Sequence, residues 1–294
     1  MLLADAITLF LGEYKPSTRA SYSYELRRMA DHIGPKRDIT EITPALLTEY
    51  HQRLRAAGYS VGTVCKHVKT MKSFYNWAVR LELIERSPAR TLHQPKPPRY
   101  VERDKAMTDE ELEAILDYTR YKYRDHALIL FLADTGCRVG GAAGLRLQDL
   151  YLDTLSARVT EKGDKTRFVV YGPACARALR VWLLKRKGHR GEYVFSRDGH
   201  RMTTYNLSQA IRRACKALGI RVLSAHSLRH RKGHQLADAH VAPSIAATAL
   251  GHSDPVITLH HYYPADWESA ERELRKLVAE EVAPQKIIRL PRPG

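Results

Sequence analysis

No apolar run in these 294 residues approaches the length of a membrane span; the longest, ALILFLA over residues 127–133, suits a buried helix segment. The opening MLLADAITLFLGEY has no basic n-region and carries Asp5, so it reads as a first helix and not as a secretory signal. Cysteine is scarce. Cys65, Cys137, Cys175 and Cys215 are scattered with no C-x-x-C pair, which argues against a thiolate zinc site and fits a reducing cytoplasm. Internal repeats and low-complexity tracts are absent. Acids are in deficit: 32 Asp and Glu stand against 48 Lys and Arg, a net charge of +16. The excess lies on both sides of a proline-rich stretch near residue 95, so two basic surfaces can face one polyanion. Nucleic acid is the expected partner, because each cation meeting a phosphate also releases a counterion; the alternative is a merely soluble basic protein.

That stretch, HQPKPPRYVERDKA (93–106), has clustered prolines and no apolar period, and is read as an interdomain linker. Before it, residues 2–11, 17–33, 43–57 and 60–84 carry apolar residues at helical spacing, with Ser17, Thr43 and Ser60 as candidate N-caps. In the last of these, Val61, Val64, Val68, Met71, Tyr75, Ala78 and Val79 form one stripe. Lys66, Lys69 and Lys72 line the other side, as a solvated face or as phosphate contacts. After the linker the pattern is mixed. Thr108 and Glu111 form a capping box, and 126–138 is a buried helix stopping at Gly136. SARVTEKGDKTRFVVYG (156–172) is a β-hairpin with a basic tip. Helical patterns follow at 173–187, 203–218, 227–239, 243–250 and 268–281. The expected fold is mainly α with a small β-hairpin or sheet (α+β): a helical domain over 1–92, the linker, a second domain over 107–281 and a tail over 282–294.

Two chemistries suit the remaining residues. His226, His230 and His234 recur at i, i+4, i+8 and would line one helix face as zinc donors. Against this, there is no H-E-x-x-H, no acid in the cluster, and Arg229, Arg231 and Lys232 crowd it, so no metal site is expected. Phosphate fits better. A phosphodiester transition state gathers charge on its non-bridging oxygens, and arginine supplies permanent charge and paired donors. Arg138 after TGC, Lys162 on the hairpin tip, His226 and Arg229 in HSLRH, and His252 in LGHS are candidates.

TGCR (135–138) followed by LRLQDL, EKGDKTR (161–167), HSLRH (226–230), LGHSDP (250–255) and a following tyrosine stand in one order over about 105–281. Together they resemble the catalytic domain of the tyrosine recombinases, the phage integrase and Xer-like family. The helical segment before the linker resembles that family's core-binding domain. The resemblance implies that Arg138 and Arg229 clamp the scissile phosphate, that His226 and His252 donate to it or handle protons, and that Lys162 protonates the departing 5′ oxygen. The family nucleophile falls nine or ten residues beyond the LGH histidine, which here means His261 or Tyr262. Only Tyr262 carries a phenol. Tyr263 precedes Pro264 and is pushed toward extended backbone, so Tyr262 is preferred. Two departures stand out. The acid that family members often carry three residues after the first arginine is Gly141 here, and RKGHQ follows HSLRH where small and aromatic residues are usual.

The resemblance implies site-specific DNA recombination through a 3′-phosphotyrosyl intermediate, needing no cofactor, with four protomers assembled on two paired sites. The two domains would clamp double-stranded DNA. Arg19, Lys66, Lys69 and Lys72 would contact the backbone from the small domain, and Lys165 and Arg167 from the hairpin. Segment 265–281 would dock on its own core or on a neighbouring protomer. No separate arm-site domain is expected before the first helix. The expected location is the cytoplasm. Three rivals are a type IB topoisomerase, which religates the same strand, a noncatalytic DNA-binding protein, and a zinc hydrolase.

Overall fold

The computed structural model describes residues 1–95, 105–161, 163–186, 191–252 and 254–263, with the backbone alone at 17 and 260. The middle of the linker, Lys162, segment 265–281 and the tail lie outside the described residues. The chain divides into two compact units, Met1–Pro98 and Arg99–Gly294. Among the described residues no helix is long and apolar enough to cross a membrane.

The first unit holds α1 (Leu3–Gly12), α2 (Pro16–Ile33), α3 (Pro44–Ala56) and α4 (Val61–Arg80). Thr43 and Ser60 cap α3 and α4, each accepting from the backbone N–H three residues on. Ser17 is not a cap: Pro16 already occupies the first turn of α2, because its fixed φ suits that place, and Lys15 precedes it. The stripe on α4 buries Val64, Val68, Met71, Tyr75 and Ala78, while Val61 in the first turn is exposed. Phe10 is the aromatic hub, with Tyr14, Tyr22, Phe74 and Trp77 all at 4.9–5.5 Å between ring centroids. Such rings supply most of the burial in a small helical core.

The second unit is built around α6 (Tyr123–Thr135), whose ALILFLA run is almost wholly buried. Against it lie α5 (Asp109–Thr119), α8 (Pro173–Lys185), α9 (Thr204–Leu218) and α10 (Ala225–Asp238). The Thr108–Glu111 capping box opens α5. Short α7 (Val139–Gly144) follows α6 and rests on an antiparallel sheet, β1 (Leu150–Tyr151), β2 (Ser156–Glu161) and β3 (Lys165–Val170), in the order β1-β2-β3. Gly163 and Asp164 turn the β2–β3 hairpin with positive φ, which glycine tolerates best. A small hairpin, β4 (Ser196–Arg197) with β5 (His200–Arg201), precedes α9. Last come α11 (Pro243–Leu250) and α12 (Pro255–Tyr262), packed on each other and on α10. Short α7, β1 and the β4–β5 hairpin were not expected from the sequence; none is long enough to show a hydrophobic period.

Candidate active site

Two glycine-ended turns and one helix face bring the site together. Gly136 ends α6 in the left-handed conformation, and a Cβ there would meet Lys232 and Leu250 at about 3 Å, so only glycine fits. The turn delivers Arg138 to the start of α7. Gly251 ends α11 in the same way, and its Cβ would lie 2.5 Å from Arg167 Nε. That turn delivers His252. On α10, His226, Arg229, His230 and Gly233 share one face by their three- and four-residue spacing. Ser224 starts the helix by accepting from His226 N–H.

The two arginines are fixed by carbonyls of these turns. Arg229 Nη1 donates to Gly136 O at 2.9 Å, and Arg138 Nη1 donates to Gly251 O at 3.1 Å. Arg229 is 1% exposed, and its Nη2 has no hydrogen-bond partner among the described residues. Burial first, and the charge of Arg138 second, push its pKa down to about 10, so it stays charged at neutral pH but is short of an anion. Glu161, with a side chain 4% exposed, accepts from Arg138 backbone N–H and Nη1, both at 2.6 Å, and lies 3.5 Å from Arg167.

Tyr262 ends α12, with 2% of its surface exposed. Its hydroxyl lies 3.0 Å from His230 Nδ1. The ring rests over Gly233, stacks near His252 at 6.4 Å and meets His234 edge-on at 5.2 Å. Burial raises its pKa, and the charges of Arg229 and Arg138 oppose that rise. Tyr263 points elsewhere: its hydroxyl donates to Val241 O at 2.5 Å. His252 Nδ1 pairs with the hydroxyl of buried Thr258 at 2.6 Å. The pKa values of His230 and His252 are both pushed down to about 3, burial being the largest cause, so both rings are neutral. His226 sits at the open edge of the site, 4.3 Å from His230, and its pKa is lowered by desolvation and then by Arg229 and Arg138. The histidine row thus faces the phenol and the arginines. Among the described residues no group of three or more His, Cys, Asp or Glu is arranged to hold a metal ion.

Arg138, His226, Arg229, His252 and Tyr262 therefore converge, and Lys162 lies outside the described residues. Lys165 is exposed beside an open groove of about 550 Å³ that Arg138 and His252 also line. Arg167 lines the same groove, and its donors are engaged within the fold: Nη1 and Nη2 donate to Ala249 O and Leu250 O at 2.7 and 3.2 Å, satisfying the last carbonyls of α11. In the first unit, Arg19 Nε likewise serves Leu11 O of α1 at 3.0 Å, and Lys66 pairs with buried Glu25 at 2.7 Å; Lys69 is exposed and Lys72 half-buried. The unusual Arg231 donates to Asp109 on α5 at 2.9 Å. Sequence reasoning missed Glu161, Gly233 and Thr258, and considered His230 only as a zinc donor. A signal existed for Glu161: Ala157, Val159 and Glu161 alternate onto the buried face of β2, and a buried acid needs a cation.

The Phage integrase family model matches residues 105–268, and the N-terminal SAM-like domain of phage integrases matches 4–85. The tyrosine recombinase XerC of Corynebacterium efficiens is 32% identical over 85% of this chain and 81% of its own length. XerD of Chlorobaculum tepidum is 28% identical over 83% and 85%. In fold, the chain resembles the Tn1549 transposon integrase bound to transposon right-end DNA, with a TM-score of 0.78, 19% identity and coverage of 95% of this chain and 100% of that one. It also resembles a lambda integrase dimer on a COC′ core site, with a TM-score of 0.71, 14% identity and coverage of 91% and 98%. Domain matches on both sides of the linker and a XerC relative along most of the length make this chain a member of the phage integrase family, the tyrosine recombinases.

Proposed function

We propose that Tyr262 is the nucleophile of this recombinase and that Arg138 and Arg229 hold the scissile phosphate of double-stranded DNA. A tyrosine recombinase cleaves and religates DNA in site-specific recombination, and the relatives give no reason to prefer strand relaxation by a topoisomerase. The carrying observation is the buried Nη2 of Arg229, a charged donor without a partner among the described residues, on a guanidinium whose charge acts on the Tyr262 phenol. As the Tyr262 Oη–P bond forms, the P–O5′ bond breaks. The phenolic proton passes to neutral His230 Nδ1, and Lys162 protonates the leaving 5′ oxygen. His226 and His252 donate to the phosphate oxygens; Thr258 fixes Nε2–H on His252 by donating to Nδ1. The 3′-phosphotyrosine conserves the bond energy, so a 5′ hydroxyl from a partner duplex reverses the step without a nucleotide. Each arginine contact is worth about two to three decades in rate.

The reading extends to a core-binding domain over 1–92, a catalytic domain over 107–281, backbone contacts from Lys69, Lys72 and Lys165, a tetramer on two paired sites, and a cytoplasmic location. The test is a nicked suicide duplex carrying the cognate site, incubated in EDTA. A protein–DNA adduct should form with the wild type and with Tyr263→Phe, and vanish with Tyr262→Phe. An adduct that survives Tyr262→Phe overturns the assignment. Native mass spectrometry of the trapped complex should then read four protomers on two duplexes.

A further inference from the structure

Gly141 stands where family members often carry an acid, and the structure shows what occupies that space. The Cβ that Gly141 lacks would lie 3.2 Å from Glu161 Cγ and 3.5 Å from Glu161 Oε1. Any side chain at 141 would therefore crowd Glu161. The Glu161 carboxylate enters from the neighbouring strand instead and grips Arg138 twice, once at the backbone where α7 begins and once at Nη1. The guanidinium's other fixed contact is Gly251 O, also from Nη1. Arg138 keeps 39% of its side chain exposed toward the groove, so the carboxylate holds one edge of the fork and leaves the rest for an anion.

We propose that Glu161 is the positioning residue for Arg138, a carboxylate supplied from β2 in exchange for one on α7, with Gly141 as the space that admits it. This rests on the reading of Arg138 as a phosphate clamp. The exchange works because α7 lies directly on β2, so one carboxylate reaches the same guanidinium from either element. Gly141 has an ordinary helical backbone, so a glutamate can be placed there without strain of the kind that positive φ would bring.

The experiment moves the acid back. Glu161→Ala should slow adduct formation on the suicide duplex about 100-fold, the size of a lost donor in a charged site. Duplex affinity should stay within about twofold, since DNA affinity is spread over many backbone contacts. Gly141→Glu combined with Glu161→Ala should recover at least about tenfold of that loss. In an Arg138→Lys background, Glu161→Ala should cost less than about threefold, because its effect runs through Arg138. Full additivity in that cycle, or wild-type cleavage by Glu161→Ala, overturns the proposal. A wild type that never forms an adduct sinks the reading of Arg138 as a phosphate clamp instead. The positioning is then read without DNA: the Arg138 side-chain ¹⁵N signals should be exchange-broadened in Glu161→Ala and sharp again in the double variant. Signals unchanged by Glu161→Ala also overturn the proposal.

Discussion

The Tyr262 hydroxyl and Nδ1 of His230 lie 3.0 Å apart, across a buried contact between α12 and α10. In the proposed mechanism the neutral imidazole accepts the phenolic proton at Nδ1 while Nε2 stays protonated. His230→Asn should lower the rate of adduct formation about 100-fold, the lower end of what a positioned acid–base group contributes. Rates from single-turnover cleavage at saturating enzyme decide it. A change within twofold would leave His230 without a part in the proton's path.

Gly233 lies under the Tyr262 ring, and a Cβ there would sit 2.5–2.6 Å from three ring carbons. Two effects of Gly233→Ala compete. Alanine in a helix interior gains roughly 1 kcal/mol over glycine. Overpacking against a buried ring costs roughly 1–3 kcal/mol. The clash should win in the wild-type background and vanish once the ring is gone. We expect Gly233→Ala to lower Tm alone and to raise it in a Tyr262→Ala background. The same sign in both would show that the ring does not rest there.

His230 and His252 keep their protons off down to about pH 3, burial being the first cause, with the charges of His226, His261 and Arg229 adding to it. His234 acts on His230 and Arg138 on His252 in the same direction. In the unfolded chain each ring titrates near 6.5. Between those values the unfolded state binds about two more protons than the folded one, so stability rises with pH across that window. The contribution is complete above about pH 6.5 and is lost as pH falls toward 3. The Tm of the second unit should therefore decline from pH 6.5 to 4.5, and His252→Asn should reduce the slope by about one proton. A Tm that is flat across this range would contradict the burial of these rings.

Long amphipathic helices, the Gly136 stop and the 156–172 hairpin were legible because each repeats a local rule over enough residues to show. The motif residues were legible because their types suit a phosphate and stand in a known order. What the sequence hid is pairing across elements. Nothing local says that Glu161 meets Arg138, or that Gly233 makes room for a ring from α12. Arg167 shows the same limit: a cation on a basic hairpin reads as a DNA contact, and its bonds to the carbonyls at the end of α11 emerge only from the fold. Tyr262 and Tyr263 differ by one position, and only the fold turns one phenol toward His230 and the other toward Val241 O.

Arg167 and Lys165 then predict opposite behaviour two residues apart. Lys165 is exposed beside the groove, so Lys165→Ala should weaken duplex binding and reduce the salt slope by about one, as for a single phosphate contact. Arg167 is 15% exposed on its side chain, with Nη1 and Nη2 on carbonyls and Glu161 at 3.5 Å. Arg167→Ala should leave the salt slope of binding unchanged and lower Tm, because it strips the end of α11 of two donors and Glu161 of a neighbouring cation. Hydrogen bonds from a charged group each contribute about 1.5–3 kcal/mol, enough to see in a melting curve. Fluorescence anisotropy across a salt series, paired with thermal melts of both variants, reads the two effects separately. A lower salt slope for Arg167→Ala with an unchanged Tm would return that arginine to the DNA surface.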